Sequence, residues 1–273
     1  MGAKSWRHTY ARLEARERIS RIPLGRLRRG DAAVHPGNGL ADSTPAKDLL
    51  HGVDFDLSWE HCYGYEYLYA GPLFTHQLSH LWIDFRGIQD AFMRLKGIDY
   101  FENSRRATYV QQQYAMDNPH KFAGYSSHCW GITASDGPGA QRIKVDGVER
   151  QFFDYLGRGV PYGPDDGTIA PWAVVTSLPF APEIVLPTIN YYINQVKLTA
   201  HNPYGFKATF NPTYPVESSN SCGWVSTWHY GLNQGPIVLM IENYRTGLSW
   251  RLTRDCPYIA SGLQRAGFSG GWL

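Results

Sequence analysis

The sequence lacks the patterns that mark several common classes of protein. Its four cysteines, Cys62, Cys129, Cys222 and Cys256, include no CxxC pair, so neither a zinc ribbon nor a disulfide framework is indicated. No uncharged stretch reaches the roughly 18 apolar residues that a membrane-spanning helix needs. The first residues also lack the apolar core of a secretory signal peptide. We therefore expect no membrane span, and the sequence assigns no cellular location.

Motifs that bind cofactors or activate nucleophiles are absent as well. Gly64, Gly71 and Gly87 are not followed by the Lys-Ser/Thr pair of a phosphate-binding loop. No Gly-x-Ser-x-Gly turn of a serine hydrolase occurs. His128 and Cys129 are adjacent in sequence, and neighbouring side chains on an extended segment point apart, so they do not form a nucleophile and its base. These absences predict a protein without a cofactor.

Charge is sparse and unevenly distributed. Charged residues make up 18% of the 273 residues, and the formal net charge is +2. Residues 1–30 contain nine Lys and Arg against Glu14 and Glu17, a net charge of +7, and the difference leaves −5 on the rest of the chain. A mildly acidic body argues against a nucleic-acid groove. We expect no nucleic-acid partner.

Aromatic residues are plentiful, at 14% of the chain with 18 Tyr and 9 Trp. Hydrophobic residues reach 43%, which is enough for a packed core. Buried Tyr and Trp need polar partners, so the surplus predicts that some of these rings line a cleft. Between residues 71 and 138 the rings alternate with histidines, carboxylates and glycines. Flat rings beside hydrogen-bonding groups suit a sugar, which has C–H faces and a rim of hydroxyls.

The pattern along the chain divides it into two regions. Residues 1–55 are a basic lead-in with a predicted helix over 5–20 and a Gly/Pro-rich connector, and residues 56–273 are the body. The body is predicted to be mostly α-helical, with long polar and aromatic loops at 118–168 and 201–234 of the kind that often carries function. The first predicted helix runs from 75 to 95 and could divide at Gly87, and the second runs from a cap at Asn103 or Ser104 to Pro119. A short helix is predicted to start at Thr168 or Pro171, and the remaining helices are predicted over 182–196, 237–250 and 257–266. A small hairpin is predicted at 142–148.

Several polar residues fall on predicted helices. His76, His80 and Asp84 are spaced by four, which puts them on one helical face. That face could hold a metal, form a structural network, or look into a cleft as a hydrogen-bonded surface. The last is favoured because the pattern has no HExxH glutamate. Glu242 sits in an apolar helix, where a carboxylate must be paired or functional. Arg245, three residues on, is the favoured partner.

Two loop segments carry candidate carboxylates. Trp130 and Asp136 bracket a turn that could be a sugar platform with a hydroxyl clamp, or a turn in which Asp136 binds its own backbone amides. Asp165 and Asp166 lie side by side before a predicted helix. Adjacent like charges raise a pKa, which favours a general acid. The other interpretation is an N-cap, which is favoured for one of the two carboxylates, and contact with a ligand stays open for the other.

Short segments spread over the last four-fifths of the chain carry a specific family resemblance. They occur at 72–77, 82–87, 99–104, 130–134, 136–138, 165–171, 178–182, 204–206, 210–212, 234–236, 240–245 and 262–268. In this order they resemble the glucoamylase-like family of glycoside hydrolases, which includes bacterial endo-β-1,2-glucanases and a domain of cyclic β-1,2-glucan synthases.

The resemblance implies an (α/α)6 toroid around a glucan-binding cleft. It also implies hydrolysis or transglycosylation by two carboxylates, one protonating the glycosidic oxygen and the other activating water or attacking the sugar. On this interpretation Asp84, Asp136, Asp166 and Asn233 occupy catalytic positions. The substrate-binding residues would be Trp82, Tyr125 and Trp130 as ring walls, with His76, His80, Arg86 and Glu242 contacting hydroxyls.

The chain departs from the family pattern in three places. The upstream portion that supplies the earlier helical hairpins and a Glu expected as general acid is not recognisable here. Asn233 stands where members usually have the Asp of Asp-Gln-Gly-Pro, and an amide has no basic lone pair. Ala208 stands where members often have Asp. We therefore expect an incomplete all-α toroid whose exposed terminal helices favour self-association. The chain is either a working hydrolase or a catalytically impaired or truncated glucan-binding relic.

Overall fold

The computed structural model describes residues 57–199, 202–217 and 222–273. The basic lead-in and its predicted helix over 5–20 lie outside these ranges. Within the described residues the chain forms seven α-helices: α1 (Ala91–Lys96), α2 (Tyr100–Asp117), α3 (Pro171–Thr176), α4 (Pro182–Asn194), α5 (Gly231–Arg245), α6 (Leu248–Arg254) and α7 (Pro257–Arg265).

Four two-stranded antiparallel sheets accompany the helices in the described residues, more strand than the sequence predicted. They join β1 (Ser58–Cys62) to β2 (Tyr65–Tyr69), β3 (Ala134–Ser135) to β6 (Leu156–Gly157), β4 (Gln141–Val145) to β5 (Val148–Phe152), and β7 (Phe210–Asn211) to β8 (Trp224–Val225).

The hairpin predicted at 142–148 is confirmed by β4 and β5, which pair from Gln141↔Phe152 to Val145↔Val148. Its two-residue turn is Asp146-Gly147, with φ of 49° and 82°. Positive φ at both turn residues matches the right-handed twist of the strands, and Asp-Gly adopts it readily.

The helix predicted from 75 to 95 is wrong over 75–90, about three-quarters of its length. The chain instead forms two 3-10 turns, Leu73–His76 and Leu78–Leu81, and resumes α-helix only at α1. Tertiary hydrogen bonds explain the change, because the Leu81 carbonyl accepts from Asn243 Nδ2 at 3.0 Å and from Ser249 Oγ at 2.7 Å. A carbonyl taken by helices from the end of the chain is not free for its own i+4 amide.

Other helix ends differ from the prediction by a turn. The cap of α2 lies four residues before Asn103, because Asp99 takes that role and accepts from the Glu102 amide at 2.8 Å. α5 starts at Gly231 and ends at Arg245, rather than spanning 237–250. The helices predicted from Pro182 and Pro257 are confirmed, each with proline in its first turn.

The main core surrounds α3, all six residues of which are buried. α3 packs against α4 on one side and α5 on the other, and α5 in turn packs against α6. Two smaller apolar clusters lie beneath the 78–88 segment and the C-terminal helices. α5 therefore runs from the 201–234 loop at its start to the 78–88 segment at its end.

Candidate functional site

Asp136 joins the two long loops that the sequence marked as functional. Its Oδ1 accepts from Thr209 Oγ1 at 3.0 Å and its Oδ2 accepts from Ser226 Oγ at 2.5 Å. Thr209 and Ser226 belong to the 201–234 loop, whereas Asp136 follows β3 in the 118–168 loop. Asp136 is 8% exposed, so only a small part of the residue contacts solvent. Its carboxylate binds hydroxyls of the other loop, an arrangement that neither interpretation of the turn anticipated.

A buried ion pair stands behind this turn. Arg158 and Asp166 are both fully buried, and Arg158 Nε and Nη2 donate to the two Asp166 oxygens at 2.7 and 2.8 Å. Asp166 also accepts from the backbone amides of Phe153 and Thr168, at 3.0 and 3.1 Å. Arg158 Nη1 donates to the Ser135 carbonyl at 2.7 Å. Both oxygens of Asp166 are therefore occupied by protein donors. Its ion pair holds Arg158, which in turn holds Ser135, the residue before Asp136.

Gly137 shows how closely the turn sits on this pair. A Cβ at Gly137 would lie 2.3 Å from Arg158 Nη2 and 2.4 Å from the Phe153 carbonyl oxygen. No other residue fits such an approach without moving the buried guanidinium. Packing against Arg158 therefore requires glycine at position 137, directly after the Asp136 carboxylate.

The neighbouring carboxylate, Asp165, also points inward. Its oxygens accept from Tyr125 Oη at 2.7 Å, Tyr114 Oη at 3.1 Å and the Gly167 amide at 3.0 Å. Burial raises the pKa of Asp165 above its ordinary value, and the Gly167 and tyrosine hydrogen bonds offset part of that rise. Tyr125 is 8% exposed and spends its hydroxyl on Asp165. Neither acidic residue of this pair presents a free oxygen to the surface.

Exposed rings surround the start of α5. Tyr204 is 75% exposed and Trp228 is 61% exposed, and the His229 ring centroid lies 6.0 Å from that of Tyr204. Asn233 lies among them in the first turn of α5 and is 6% exposed. We call Tyr204, Trp228, His229 and Asn233 the aromatic rim.

Hydrogen bonds connect the aromatic rim to Asp136. The Trp228 amide donates to Ser226 Oγ at 3.2 Å, and that hydroxyl donates to Asp136. The Ala208 amide donates to the Trp228 carbonyl at 3.1 Å. Gln234 Nε2 donates to the Phe206 carbonyl at 3.0 Å, which ties the loop to α5. The structure thus links Asp136 to the segment that leads into α5, whose first turn contains Asn233.

Sequence reasoning missed three members of the rim. Tyr204 was noted only as part of a family segment, and Trp228 and His229 were not singled out. A signal was present, because Trp228 and His229 directly precede a helix within a loop already assigned to function. Spacing alone does not tell exposed rings from buried ones.

Trp130, by contrast, is a core residue in this structure. Its ring is fully buried, and its Nε1 donates to Thr188 Oγ1 at 2.9 Å. The Tyr192 hydroxyl donates to its backbone carbonyl at 2.5 Å. The ring offers no open face to a sugar here, and it anchors the start of the loop that leads to Asp136.

Trp82, Asp84 and Arg86 form a second group. Asp84 is fully buried and binds Arg86 through two hydrogen bonds of 2.7 Å, and it also pairs with Arg254. Burial raises the pKa of Asp84, but the hydrogen bonds from Arg86 and the charge of Arg254 outweigh burial and hold it below its ordinary value. The Arg86 guanidinium lies 4.6 Å from the centre of the Trp250 ring, and Trp82 is 49% exposed beside it.

His76 and His80 are buried beside α2 rather than on one helical face with Asp84. His80 Nε2 lies 3.0 Å from Ser104 Oγ, and His76 Nδ1 lies 3.4 Å from Asn103 Nδ2. Burial lowers the pKa of His76 to about 4 and that of His80 to about 3. Both rings are therefore neutral at pH 7. In the described part of the chain, no three His, Cys, Asp or Glu side chains converge as a metal site would require.

Glu242 lies near the far end of α5 from the aromatic rim. It accepts from Thr246 Oγ1 at 2.5 Å and lies 3.8 Å from Arg245, so the predicted ion pair is present. Nine residues of helix separate it from Asn233, a distance of roughly 13 Å along the axis. Asn243, which binds the Leu81 carbonyl, is one residue further. Glu242 therefore lies at the end of α5 that packs near the 78–88 segment, and Asn233 lies at the other end.

The first prediction concerns the Arg158–Asp166 pair. Asp166→Asn should lower the free energy of unfolding by roughly 3–5 kcal/mol, because it leaves a buried guanidinium without its counter-charge. Urea denaturation measures the loss. Glu149→Gln, which breaks the exposed Arg142–Glu149 pair at 3.7 Å, is the matched control and should cost less than about 1 kcal/mol. Equal effects from the two changes would contradict this account.

The second prediction concerns acid stability. Since folding lowers the pKa of His76 and His80 below the ordinary 6.5, the unfolded chain takes up protons first as the pH falls. Stability present above pH 6.5 should decline between pH 6.5 and about 4, by about 3 kcal/mol for each histidine at 1.4 kcal/mol per pKa unit. His80→Phe should flatten the pH profile of the urea midpoint. Exposed His128→Gln should not, and an unchanged slope in His80→Phe would refute the assignment.

Comparison with known proteins gives the family. The Glycoamylase family model, described as "Putative glucoamylase", matches residues 32–257, which includes part of the lead-in. An exo β-1,2-glucooligosaccharide sophorohydrolase of Parabacteroides distasonis is 33% identical over 197 residues, covering 72% of this chain and 23% of the relative. In the described residues no helix is both long and apolar enough to cross a membrane.

Solved structures show the same fold. An endo-β-1,2-glucanase from Chitinophaga pinensis, solved with sophorotriose and glucose, is 27% identical with a TM-score of 0.68, covering 86% of this chain and 52% of that one. A protein of Bacteroides uniformis ATCC 8492 with the same description as the family model is 34% identical with a TM-score of 0.65, covering 80% and 47%. The chain thus spans about half the length of these structures and about a quarter of the sophorohydrolase. Its architecture is that of the α/α-toroid glucanases, and the chain belongs to the Glycoamylase family of glycoside hydrolase-like proteins.

Proposed function

We propose that this chain acts on β-1,2-linked glucan and holds the sugar at the aromatic rim beside Asp136. The observation that carries the proposal is the hydrogen-bonded link from Asp136 through Ser226 to Trp228, an exposed ring that lies just before α5 and Asn233. The linkage is supported by relatives described as acting on β-1,2-glucans or their oligosaccharides.

The chemistry of the rim suits this ligand. Exposed indole and phenol rings stack on the C–H faces of glucose units, and they lose little conformational entropy on binding because each has only two side-chain torsions. Asp136 accepts hydrogen bonds, and Asn233 both donates and accepts them. Such a mixture fixes the orientation of a hydroxyl-rich ligand through a few polar groups.

Hydrolysis needs two proton-transferring groups, and beside the rim stands one carboxylate, that of Asp136. Asn233 can orient water or a hydroxyl but cannot take a proton. In our proposal the described helices form only part of the ring, and the missing acid belongs to the remainder. The amide at position 233 also supports a second candidate function, glucan binding without turnover.

The third prediction concerns binding. Calorimetry with linear β-1,2-glucooligosaccharides should show binding that Trp228→Ala weakens about tenfold, the scale of one lost aromatic contact of 1–1.5 kcal/mol. Tyr258→Ala removes a ring that is 82% exposed on α7, away from the rim, and serves as the control. Absence of heat with every glucan tested would overturn both candidate functions.

The fourth prediction concerns turnover. Since loss of a general base commonly costs about 10²–10⁴-fold, Asn233→Asp should raise the release of shortened oligosaccharides by at least about 10²-fold. Both forms are expressed within the full-length natural polypeptide, which would supply the acid. Asn233→Ala should give no gain. If both variants bind glucan and neither releases product, the chain binds without turnover and the hydrolytic proposal fails.

A further inference from the structure

Tyr162 is an exposed ring outside the aromatic rim. It is 59% exposed and belongs to the short segment between Arg158 and Asp165, which the proposed function does not use. We call residues 159–164 the Tyr162 loop. A single exposed ring needs no explanation, so the packing of the loop and the neighbours of the ring decide whether Tyr162 has a role.

The Tyr162 loop is closely packed at both of its glycines. The Gly159 amide donates to the Pro164 carbonyl at 3.2 Å, which closes the loop. A Cβ at Gly163 would lie 2.2 Å from the Gly159 carbonyl oxygen, and a Cβ at Gly159 would lie 2.5 Å from the carbonyl carbon of Gly71. Neither position has room for a side chain. The loop therefore holds Tyr162 in a defined place before any ligand binds, which reduces the entropy lost on binding.

Contacts with the β1–β2 hairpin fix the orientation of the ring. The ring centroids of Tyr162 and Tyr69 are 5.3 Å apart and their planes are 77° apart, an edge-to-face contact. The Tyr69 hydroxyl interacts with the backbone of Tyr162 and Gly163, and the Tyr162 hydroxyl interacts with the Cys62 thiol. An edge-to-face contact covers at most one face of a ring. The other face of Tyr162 is therefore open, in agreement with its exposure.

A carboxylate accompanies these rings. Glu60 pairs with Tyr67 across the hairpin, so alternation along the strands puts Glu60, Cys62, Tyr67 and Tyr69 on one face. Burial is the first cause of the raised pKa at Tyr67, Tyr69 and Tyr162, and the charge of the Glu60 carboxylate adds to each rise. A hydrogen-bond acceptor thus lies near an open ring. That combination suits a hydroxyl-rich ligand with an apolar C–H face.

The buried ion pair connects the Tyr162 loop to the turn that contains Asp136. Arg158 directly precedes the loop, and its Nη1 donates to the Ser135 carbonyl at 2.7 Å. Ser135 also pairs with Leu156 between β3 and β6. Because Tyr162 is four residues after Arg158, the Cα atoms of the two residues lie within roughly 14 Å of each other. A glucan of several units can span such a distance.

We propose that Tyr162 is a second stacking residue for the glucan. Its open face binds a sugar unit further along the same glucan chain than the unit held at the aromatic rim, and Glu60 accepts hydrogen bonds from the hydroxyls of that unit. The inference rests on the proposed function, because the ligand is the same glucan. Two separate contacts on one chain make the affinity depend on glucan length, since a short glucan at the rim does not reach Tyr162.

Calorimetry on the full chain with β-1,2-glucooligosaccharides of increasing length tests the proposal. Tyr162→Ala should leave the affinity for the disaccharide unchanged and weaken that for the longest oligosaccharide about threefold to tenfold, the scale of one lost ring contact. Tyr162→Phe keeps the ring and should bind like the unchanged chain. Tyr258→Ala, at the exposed ring on α7, is the matched control. Thermal unfolding of each variant checks that it folds.

Nitration of tyrosines gives a second readout that needs no variant. Tetranitromethane modifies exposed tyrosine rings, and mass spectrometry of peptides locates each modified residue. We expect the longest oligosaccharide to protect both Tyr204 and Tyr162, and the disaccharide to protect Tyr204 alone. Tyr258 should react equally with and without sugar, so it is the control within the same molecule.

The outcomes separate this inference from the proposed function. If Trp228→Ala weakens binding while Tyr162→Ala has no effect at any glucan length, the Tyr162 loop is ordinary surface and the rim stands. Equal losses from Tyr162→Phe and Tyr162→Ala would show that the hydroxyl acts and that the ring does not stack on sugar. Loss of affinity for the disaccharide in Tyr162→Ala would contradict a second contact along the glucan. Absence of binding with every glucan would overturn both proposals.

Discussion

The buried contact between Arg158 and Asp166 organises the functional side of the molecule. Removing two charges from water costs several kcal/mol, and the pair tolerates this because its members also bind backbone groups on both sides. Those bonds hold β3, the 153–158 segment and the approach to α3 in one arrangement. The carboxylate of Asp166, which the sequence offered as a catalytic acid, is therefore bound on all sides by protein donors, and through Arg158 it helps to position the residue before Asp136.

The two ends of α5 have different neighbours. At its first turn the helix offers Asn233 to the rim, and near its last turn Asn243 holds the 78–88 segment by a carbonyl. The aromatic residues divide in the same way. Trp130 is packed in the core, whereas Trp228 and Tyr204 face solvent. A family built on such a helix can change its chemistry at one end without disturbing the anchor at the other.

The sequence predicted best where the controlling interactions are local. Proline at the first turn located α4 and α7, and the Asp146-Gly147 turn located the hairpin. It failed over 75–90, where helices about 160 residues away in sequence take the carbonyl groups. Apolar spacing cannot show that, nor can composition show which tryptophan is buried. Asp136 was singled out by its turn and Asn233 by the family pattern, and both stay predictions as site residues, whereas the exposure of Trp228 became visible only in the structure.

Asp136 has one consequence that concerns thermodynamics rather than shape. By accepting from both Thr209 and Ser226, it links the two long loops to each other. Without these hydrogen bonds the loops would lose more conformational entropy when a ligand binds. That ordering has already occurred in the free protein. For the proposed glucan ligand, association should accordingly carry a small entropic penalty for the backbone, and affinity should depend mainly on how well the exposed rings match the spacing of the sugar units.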